Sequence, residues 1–192
     1  MIIARDAAHA ERLRCLALHG MSRDAWQRFS NPKFRHYAVT EIGFKYNMTD
    51  LNAAIGLHQL RRVDDGWRRR EEIWNAYTLA FTDLPLALPA KARPQDRHGH
   101  HLYTLLVDHH HCGMSREEFI EELDSRGVGV GIHYLCLAEH PIYQEMFGWR
   151  PEDYPNATSI GRQTVSLPLS SGLSPFEIDT VVSAVRGGLG AD

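Results

Sequence analysis

The chain has 192 residues, of which 43% are hydrophobic and 23% are charged. This is the composition of an ordinary globular protein that can bury a core. The formal net charge of -3 gives no overall basic surface, so neither nucleic acid nor an anionic membrane is expected as a partner. The three cysteines form no C-x-x-C pair, which predicts reduced thiols and a cytoplasmic location.

The first predicted element is a short apolar strand, Met1–Ala4. This amino-terminal segment lacks the basic leader and the long apolar stretch of a signal peptide. An apolar strand at this position is typical of a truncated protein that starts in mid-fold. Asp6 is expected to cap a helix over Ala7–Leu18, which Gly20 ends. The stretch Met21–Tyr46 has no periodicity, and a loop of that length is usually functional or part of an interface.

Thr49 is expected to cap a long helix whose apolar positions continue to Phe81. Such a helix would extend on the order of 45–50 Å, which exceeds most domain diameters and predicts a link between two domains. Three prolines mark the boundary that follows, Pro85, Pro89 and Pro94. The predicted domains are therefore residues 1–84, which form the end of a larger domain with the long helix, and residues 85–192.

The second half has the alternating pattern of a small α+β domain. Ser115 with Glu118, and Ser174 with Glu177, form capping boxes that start helices. The predicted elements are a strand His101–Val107, a helix to Arg126, a glycine-rich strand Gly127–Ile132, short helices Tyr143–Phe147 and Asn156–Gln163, a strand Val165–Leu169 and a last helix to Leu189.

One segment has the pattern of a known family signature. The stretch G-F-K-Y-N-M-T-D-L-N-A-A-I-G, Gly43–Gly56, resembles the G-x-x-x-N-x-x-T/S-D-x-x-A-A-I-like segment with which the long interdomain helix of DegT/DnrJ sugar aminotransferases begins. Further segments agree in order and spacing: Leu16–Trp26 (L-A-L-H-G-M-S-R-D-A-W), His101–Tyr103 (H-L-Y), Arg126–Tyr134 (R-G-V-G-V-G-I-H-Y) and Ser166–Leu169 (S-L-P-L). The resemblance covers nearly the whole chain.

The resemblance implies an α/β fold, the carboxy-terminal part of the aspartate-aminotransferase fold of pyridoxal phosphate (PLP) enzymes. It also implies transfer of an amino group from glutamate to a keto sugar nucleotide for cell-surface or secondary-metabolite sugars, by a homodimer with shared active sites. The K-Y-N and H-C-G-M-S-R segments are most similar to enzymes that aminate a keto-pentose nucleotide. Two alternatives stay open: a sugar dehydratase of the same family, and a non-catalytic dimerisation or interaction module.

The resemblance also implies what this sequence lacks. Family members are about twice as long, and both the lysine that binds PLP covalently and the acid paired with its pyridine nitrogen lie upstream of the segment that matches Met1. The lysines present are Lys33, Lys45 and Lys91, and none lies in a context similar to that motif. No catalytic residue is therefore assigned, and this chain alone is predicted to be inactive.

Asn47 is the first candidate site residue. Its amide can donate to an anion without adding a charge, and it precedes a helix start, where free N–H groups favour phosphate. The resemblance implies that this asparagine reaches across a dimer interface to the neighbour's PLP phosphate; the alternative is a loop-capping asparagine. Lys45 could offer a point charge to the cofactor phosphate or a nucleotide pyrophosphate, or it could be a solvated surface lysine.

Three further residues are candidates for substrate binding. The resemblance implies that His133 and Tyr134 lie at the substrate entrance, where they could bind a sugar hydroxyl or the pyrophosphate; the alternative is an aromatic pair packed on the core. His19 could lie at the edge of the active site or could simply end a helix.

The twelve histidines raise the question of a metal. Six of them form two clusters, His98, His100 and His101 at the start of the predicted strand His101–Val107 and His109, His110 and His111 after it. The ends of this strand lie on the order of 20 Å apart. One tetrahedral site cannot span that distance, so no metal is predicted.

Overall fold

The computed structural model describes residues 2–21 and 38–191. The described chain divides into two units, Met1–Arg61 and Arg62–Asp192, which are treated separately below. The second unit begins before the predicted domain boundary at residues 84 and 85. That boundary in the longer protein stays a prediction.

The first unit contains two helices, α1 (Ala7–Ala17) and α2 (Asp50–Arg61). The predicted cap of α1 is confirmed, because Asp6 Oδ1 accepts a hydrogen bond of 2.8 Å from His9 N. The predicted cap of α2 is also confirmed, since Thr49 Oγ1 accepts from Asn52 N at 3.3 Å. Neither helix has a buried residue.

The predicted strand at the start of the chain is wrong for the described residues Ile2–Ala4, which form no strand. Ile3 is 95% exposed. A strand needs a hydrogen-bonded neighbour, and the described part of the chain supplies none here. The apolar run was therefore a poor guide to local structure.

The second unit begins with α3 (Val63–Ala80). The continuous helix predicted from Thr49 to Phe81 is interrupted at Arg62, which has φ -103° and ψ 1°. The sequence did not reveal this break, because the apolar periodicity continues through it and no proline or glycine occupies position 62. Gly66 lies one turn further on, within α3.

Apart from the glycine-rich strand, the elements predicted for this unit are present in the predicted order, with short helical turns added between them. Both predicted capping boxes are present, at Ser115 with Glu118 and at Ser174 with Glu177. The elements are β1 (Tyr103–Leu106), α4 (His109–Cys112), α5 (Arg116–Ser125), α6 (Pro141–Phe147), α7 (Pro155–Gln163), β2 (Thr164–Leu167) and α8 (Pro175–Gly188), with 3₁₀ turns at Leu137–Glu139 and Pro151–Asp153.

The sheet consists of β1 and β2, which pair antiparallel with Tyr103 opposite Leu167 and Leu106 opposite Thr164. Single bridges continue it on both sides, from Ala87 to Leu106 and from Gly131 to Ser166. The predicted glycine-rich strand is therefore reduced to the one bridge at Gly131. Glycines add no side-chain packing to a strand and weaken it.

The core of this unit lies between the sheet and helices α3, α5 and α8. Its fully buried side chains include Tyr77, Phe81, Tyr103, Phe119, Leu123 and Val185. Burial raises the pKa of Tyr77 to about 12, and its hydroxyl donates to Pro168 O at 3.1 Å. Within the described residues, no helix is long and apolar enough to cross a membrane.

Candidate functional site

The loop Gly43–Asn47, here called the Asn47 loop, lies along the end of α1. Phe44 N donates to Leu16 O at 2.7 Å, His19 N donates to Phe44 O at 2.8 Å, and Tyr46 N donates to Ala17 O at 2.8 Å. These bonds hold the two segments together through backbone groups alone. They bring three predicted site residues, at positions 19, 45 and 47, into one part of the first unit.

Two glycines allow this close approach. A Cβ built on Gly20 would lie 1.7 Å from Glu41 O, and one built on Gly43 would lie 2.1 Å from Gly20 N. Gly20 also has φ +71°, a conformation that other residues rarely adopt. The geometry of the Asn47 loop therefore requires glycine at both positions.

The Asn47 side chain lies half-buried two residues before the cap of α2. Its Oδ1 is buried and has no hydrogen-bond partner among the described residues. A buried acceptor left unpaired costs about 1–3 kcal/mol, so Oδ1 needs an external donor. Separately, the Nδ2 group of the amide has two N–H donors for an external acceptor. The free N–H groups at the start of α2 favour an anion in the same place.

Lys45 and His19 flank this amide. Lys45 forms a backbone bridge with Leu18, and its side chain is exposed, with no salt bridge within the described chain. His19 is exposed and has φ +59°, which is uncommon outside glycine. Both side chains can reach solvent or a ligand, and their predicted roles stay predictions.

His133 and Tyr134 lie in the second unit. His133 is half-buried, and its Nδ1 lies 2.9 Å from the Ser166 hydroxyl on β2. Tyr134 is 74% exposed, and its ring meets the His133 ring edge to face at 4.8 Å. The alternative of an aromatic pair packed on the core therefore fails for Tyr134.

Two of the histidines considered as metal ligands, His98 and His100, pack against an aromatic ring. The rings of His98 and His100 lie 4.7 and 5.0 Å from that of Trp74. Burial, followed by the nearby His98, lowers the pKa of His100, which keeps that imidazole neutral at physiological pH. In the described ranges, no group of three His, Cys, Asp or Glu side chains could hold a metal ion.

Comparison with known proteins identifies the fold and the family. A model of the DegT/DnrJ/EryC1/StrS aminotransferase family matches residues 1–186. The chain belongs to this family. The predicted membership is thereby confirmed, and so is the α/β fold class, a part of the fold of PLP-dependent sugar aminotransferases.

The sequence relatives of this DegT/DnrJ-family chain include the spore coat polysaccharide biosynthesis protein SpsC of Bacillus subtilis. SpsC is 42% identical over 187 residues, which cover 97% of this chain and 48% of SpsC. The chain thus spans about half the length of this relative. That the lysine which binds PLP covalently belongs to the unmatched part of such a longer protein stays a prediction.

Solved structures agree with this chain over most of its length. TlmJ, an aminotransferase from Streptoalloteichus hindustanus, is 28% identical to this chain, with a TM-score of 0.79. The match covers 97% of this chain and 46% of TlmJ. The putative sugar aminotransferase Spr1654 from Streptococcus pneumoniae, solved in its PLP form, is 27% identical to this chain, also with a TM-score of 0.79. The match covers 92% of this chain and 42% of Spr1654. PLP is therefore the cofactor expected for the family.

Sequence reasoning missed Ser166 as a neighbour of His133. Ser166 belongs to the S-L-P-L segment that carried part of the resemblance, but it had no assigned role. Its contact with His133 joins residues 33 positions apart. No local pattern reports such a contact, since it arises from the pairing of Gly131 with β2.

Proposed function

We propose that this DegT/DnrJ-family chain is part of a longer PLP-dependent aminotransferase that moves an amino group from glutamate to a keto sugar nucleotide. The observation that carries the proposal is the family match over residues 1–186. The likeness to SpsC, a polysaccharide biosynthesis protein, supports a cell-surface sugar as the destination. Glutamate as donor and a nucleotide-linked sugar as acceptor follow from the family resemblance.

In this proposal, Asn47 and Lys45 bind the cofactor phosphate. The Asn47 Nδ2 group can donate to a phosphate oxygen, and the exposed Lys45 ammonium and the free N–H groups at the start of α2 favour the same anion. PLP, when bound, supplies the electron sink for amino transfer. The protein groups named here hold and orient the phosphate end.

In the same proposal, the other candidate residues bind the substrate. His133 and Tyr134 present an imidazole and a phenol beside each other, and either can hydrogen-bond to an oxygen of the sugar nucleotide. His19 lies beside the Asn47 loop and borders the cofactor end. Their common task is binding and orientation, which lowers the entropy cost of reaction.

A homodimer with shared active sites is supported by the surface of α2. This helix exposes Leu51 (73%), Leu57 (63%) and Leu60 (56%). Before it in the chain, the exposed rings of Phe44 and Tyr46 stack with their centroids 5.0 Å apart. Exposed apolar side chains in such number indicate an interaction surface, and Asn47, the residue proposed to reach a neighbour's cofactor, lies in the same segment, three residues before α2.

We also propose that the chain alone has no aminotransferase activity. Lys45 and Lys91 are both exposed, and neither lies in the context of the family's cofactor lysine; Lys33 lies outside the described residues. Absorbance after addition of PLP, with borohydride reduction and mapping of the modified lysine, tests this. We expect random, substoichiometric labelling without turnover, whereas one stoichiometric adduct with turnover of glutamate would contradict it.

The amino-transfer proposal is tested by joining the upstream half of SpsC to this chain. The hybrid is expected to retain PLP and to convert glutamate to 2-oxoglutarate only with a keto sugar nucleotide. Asn47→Ala should raise the PLP dissociation constant about ten- to hundredfold, as expected for loss of a charge-assisted hydrogen bond.

Asn52→Ala is the matched control, because its side chain is exposed on α2 and has no proposed contact with the cofactor. It should leave PLP affinity unchanged. Equal PLP affinity in the Asn47→Ala hybrid and the unmodified hybrid would remove Asn47 from the cofactor site. A folded hybrid that retains PLP and yet consumes no glutamate with any keto sugar nucleotide would refute the activity.

A further inference from the structure

The imidazole of His133 lies against two residues that pair with each other, Ser166 in β2 and Gly131. Its Nδ1 lies 2.9 Å from Ser166 Oγ. Gly131 also lies close to the ring, since a Cβ built on it would be 2.5 Å from His133 Cε1 and 3.1 Å from Nδ1. The ring can occupy this position only because residue 131 has no side chain.

Ser166 and Gly131 are themselves fixed to each other. Gly131 N donates to Ser166 O at 3.0 Å, and Ser166 N donates to Gly131 O at 2.7 Å. Ser166 lies in β2 and is 4% exposed. Both contacts to the imidazole thus come from residues that are hydrogen-bonded to each other, Ser166 within β2 and Gly131 at the single bridge beside it.

Burial of Ser166 decides which atom donates in the bond to His133. A buried hydroxyl proton needs an acceptor, and among the described residues the acceptor within reach of Ser166 Oγ is His133 Nδ1. The hydroxyl therefore donates and Nδ1 accepts. A neutral imidazole whose Nδ1 accepts carries its proton on Nε2.

Nε2 is the free end of the ring. It has no hydrogen-bond partner within the described ranges, and it does not belong to the buried unpaired atoms. Water or a ligand can therefore reach it. The ring presents one N–H donor whose direction is set by the sheet.

We propose that Ser166 and Gly131 are positioning residues that hold His133 as a neutral Nε2–H donor for an acceptor oxygen of the sugar nucleotide. This inference rests on the substrate role proposed above for His133. A fixed tautomer matters because the other tautomer would present a lone pair to the same oxygen and repel it. Ser166 and Gly131 act through His133 and do not contact the substrate in this scheme.

The first test is nitrogen NMR of the 192-residue chain labelled at histidine, at a pH where His133 is neutral. We expect the His133 signals of a single tautomer protonated at Nε2, and a nuclear Overhauser contact between the His133 ring and the Gly131 α protons. Ser166→Ala should give a mixture of tautomers and weaken this contact. Ser166→Thr keeps the hydroxyl and should restore both signals.

Two further variants separate positioning from general damage. Thr164→Val removes another buried hydroxyl of β2 and should leave the His133 signals unchanged. Gly131→Ala keeps the Ser166 hydroxyl but should displace the ring, so it should disturb the same signals. A proton on Nδ1 in the unmodified chain, or an unchanged His133 spectrum in Ser166→Ala, would overturn the proposal.

Kinetics of the SpsC hybrid connect this geometry to the substrate. Ser166→Ala should raise KM for the sugar nucleotide about tenfold with kcat and the PLP spectrum little changed, since one uniform binding contact is weakened. An unchanged KM would overturn the substrate part of the inference. If the hybrid has no aminotransferase activity at all, the NMR spectra still decide whether Ser166 and Gly131 position the ring.

Discussion

The two units of the molecule differ sharply in how they bury their residues. In the first unit, Gly20 is the one buried residue among those described, and helix α2 has none. In the second unit, 16 hydrophobic residues form one buried cluster. Both units contain well-capped helices, so capping alone does not distinguish them.

The difference shows that regular backbone and stability have separate sources. Helix α2 forms with a cap at Thr49 but packs its leucines on no core within the described residues, whereas α3 places Tyr77 and Phe81 in the cluster. Most helical stability in proteins comes from packing of the apolar face. The exposed face of α2 is therefore suited to a partner surface, as the proposed enzyme requires.

The largest expected effect comes from the buried cluster. Phe119→Ala removes a side chain that is 0% exposed and should lower the free energy of unfolding by about 3–5 kcal/mol. Leu57→Ala removes a side chain that is 63% exposed and should change it by less than about 0.5 kcal/mol. Urea denaturation monitored by circular dichroism measures both.

If Leu57→Ala lowers the free energy of unfolding as much as Phe119→Ala does, the stated difference between the two units is wrong. Such a result, in the monomeric chain at low concentration, would mean that α2 is packed in solution. If the loss grows with protein concentration, self-association through the α2 face is the cause, since binding stabilises the bound form.

The next effect concerns the Asn47 loop. Gly20→Ala meets both a left-handed backbone and a contact of 1.7 Å with Glu41 O, so the loop must move. Gly113→Ala is the matched control, because Gly113 also has φ +73° but has no neighbour within 4 Å. Gly113→Ala should lower the free energy of unfolding by about 1–2 kcal/mol, because of the backbone conformation alone.

Hydrogen exchange tests the glycine prediction. We expect Gly20→Ala to speed exchange of the Phe44 and Tyr46 amides, which bond to α1, by a larger factor than Gly113→Ala changes any amide near its own site. Amides of β1 and β2 should keep their protection in Gly20→Ala. Unchanged exchange at Phe44 and Tyr46 would show that the close approach does not hold the loop.

Local rules predicted the elements whose signals are local. Asp6, Thr49, Ser115 and Ser174 identified helix starts because a cap acts over three or four residues. The signature around Asn47 identified the family because several short segments kept their order. Both kinds of signal can be read from the sequence without knowing which segments pair in the folded chain.

Long-range pairing could not be predicted in the same way. The apolar run Ile2–Ala4 has the composition of a strand but no neighbour in the described chain, and the glycine-rich segment pairs only at Gly131. The break at Arg62 has no breaker residue. The contact of His133 with Ser166 depends on that same pairing, so the candidate was found from the family and its positioning residue only from the structure.

A smaller effect is expected from the helix caps, and it should depend on the unit. Ser174→Ala removes a capping box at α8, which packs on the core, and should lower the free energy of unfolding by about 1 kcal/mol. Asp6→Ala removes the cap of α1, which buries no residue, and should reduce helix content without moving the main urea transition. A shift of that transition by Asp6→Ala would mean that the units unfold together.

The smallest effect is electrostatic and lies entirely in the second unit. Arg186 donates to Asp83 Oδ1 at 2.8 Å and to Oδ2 at 3.0 Å, and it also donates to Ala80 O at 2.8 Å. It thereby joins the end of α3 to α8. The Arg186 hydrogen bonds hold the pKa of Asp83 below its ordinary value of 3.8.

A lowered carboxyl pKa in the folded state stabilises the protein above the ordinary value and loses that contribution as pH falls through the folded value. Stability should therefore decline below about pH 4, and Asp83→Asn should be less stable than the unmodified chain at pH 7 but lose less on acidification. Because the Asp83 side chain is 63% exposed, 1 M NaCl should shrink the difference between the two proteins. The measurement is the urea midpoint of both proteins from pH 7 to pH 2.5, at low and high salt. Parallel pH curves would show that the Asp83–Arg186 pair adds nothing to the joint between α3 and α8, and that the packing of their apolar faces holds it alone.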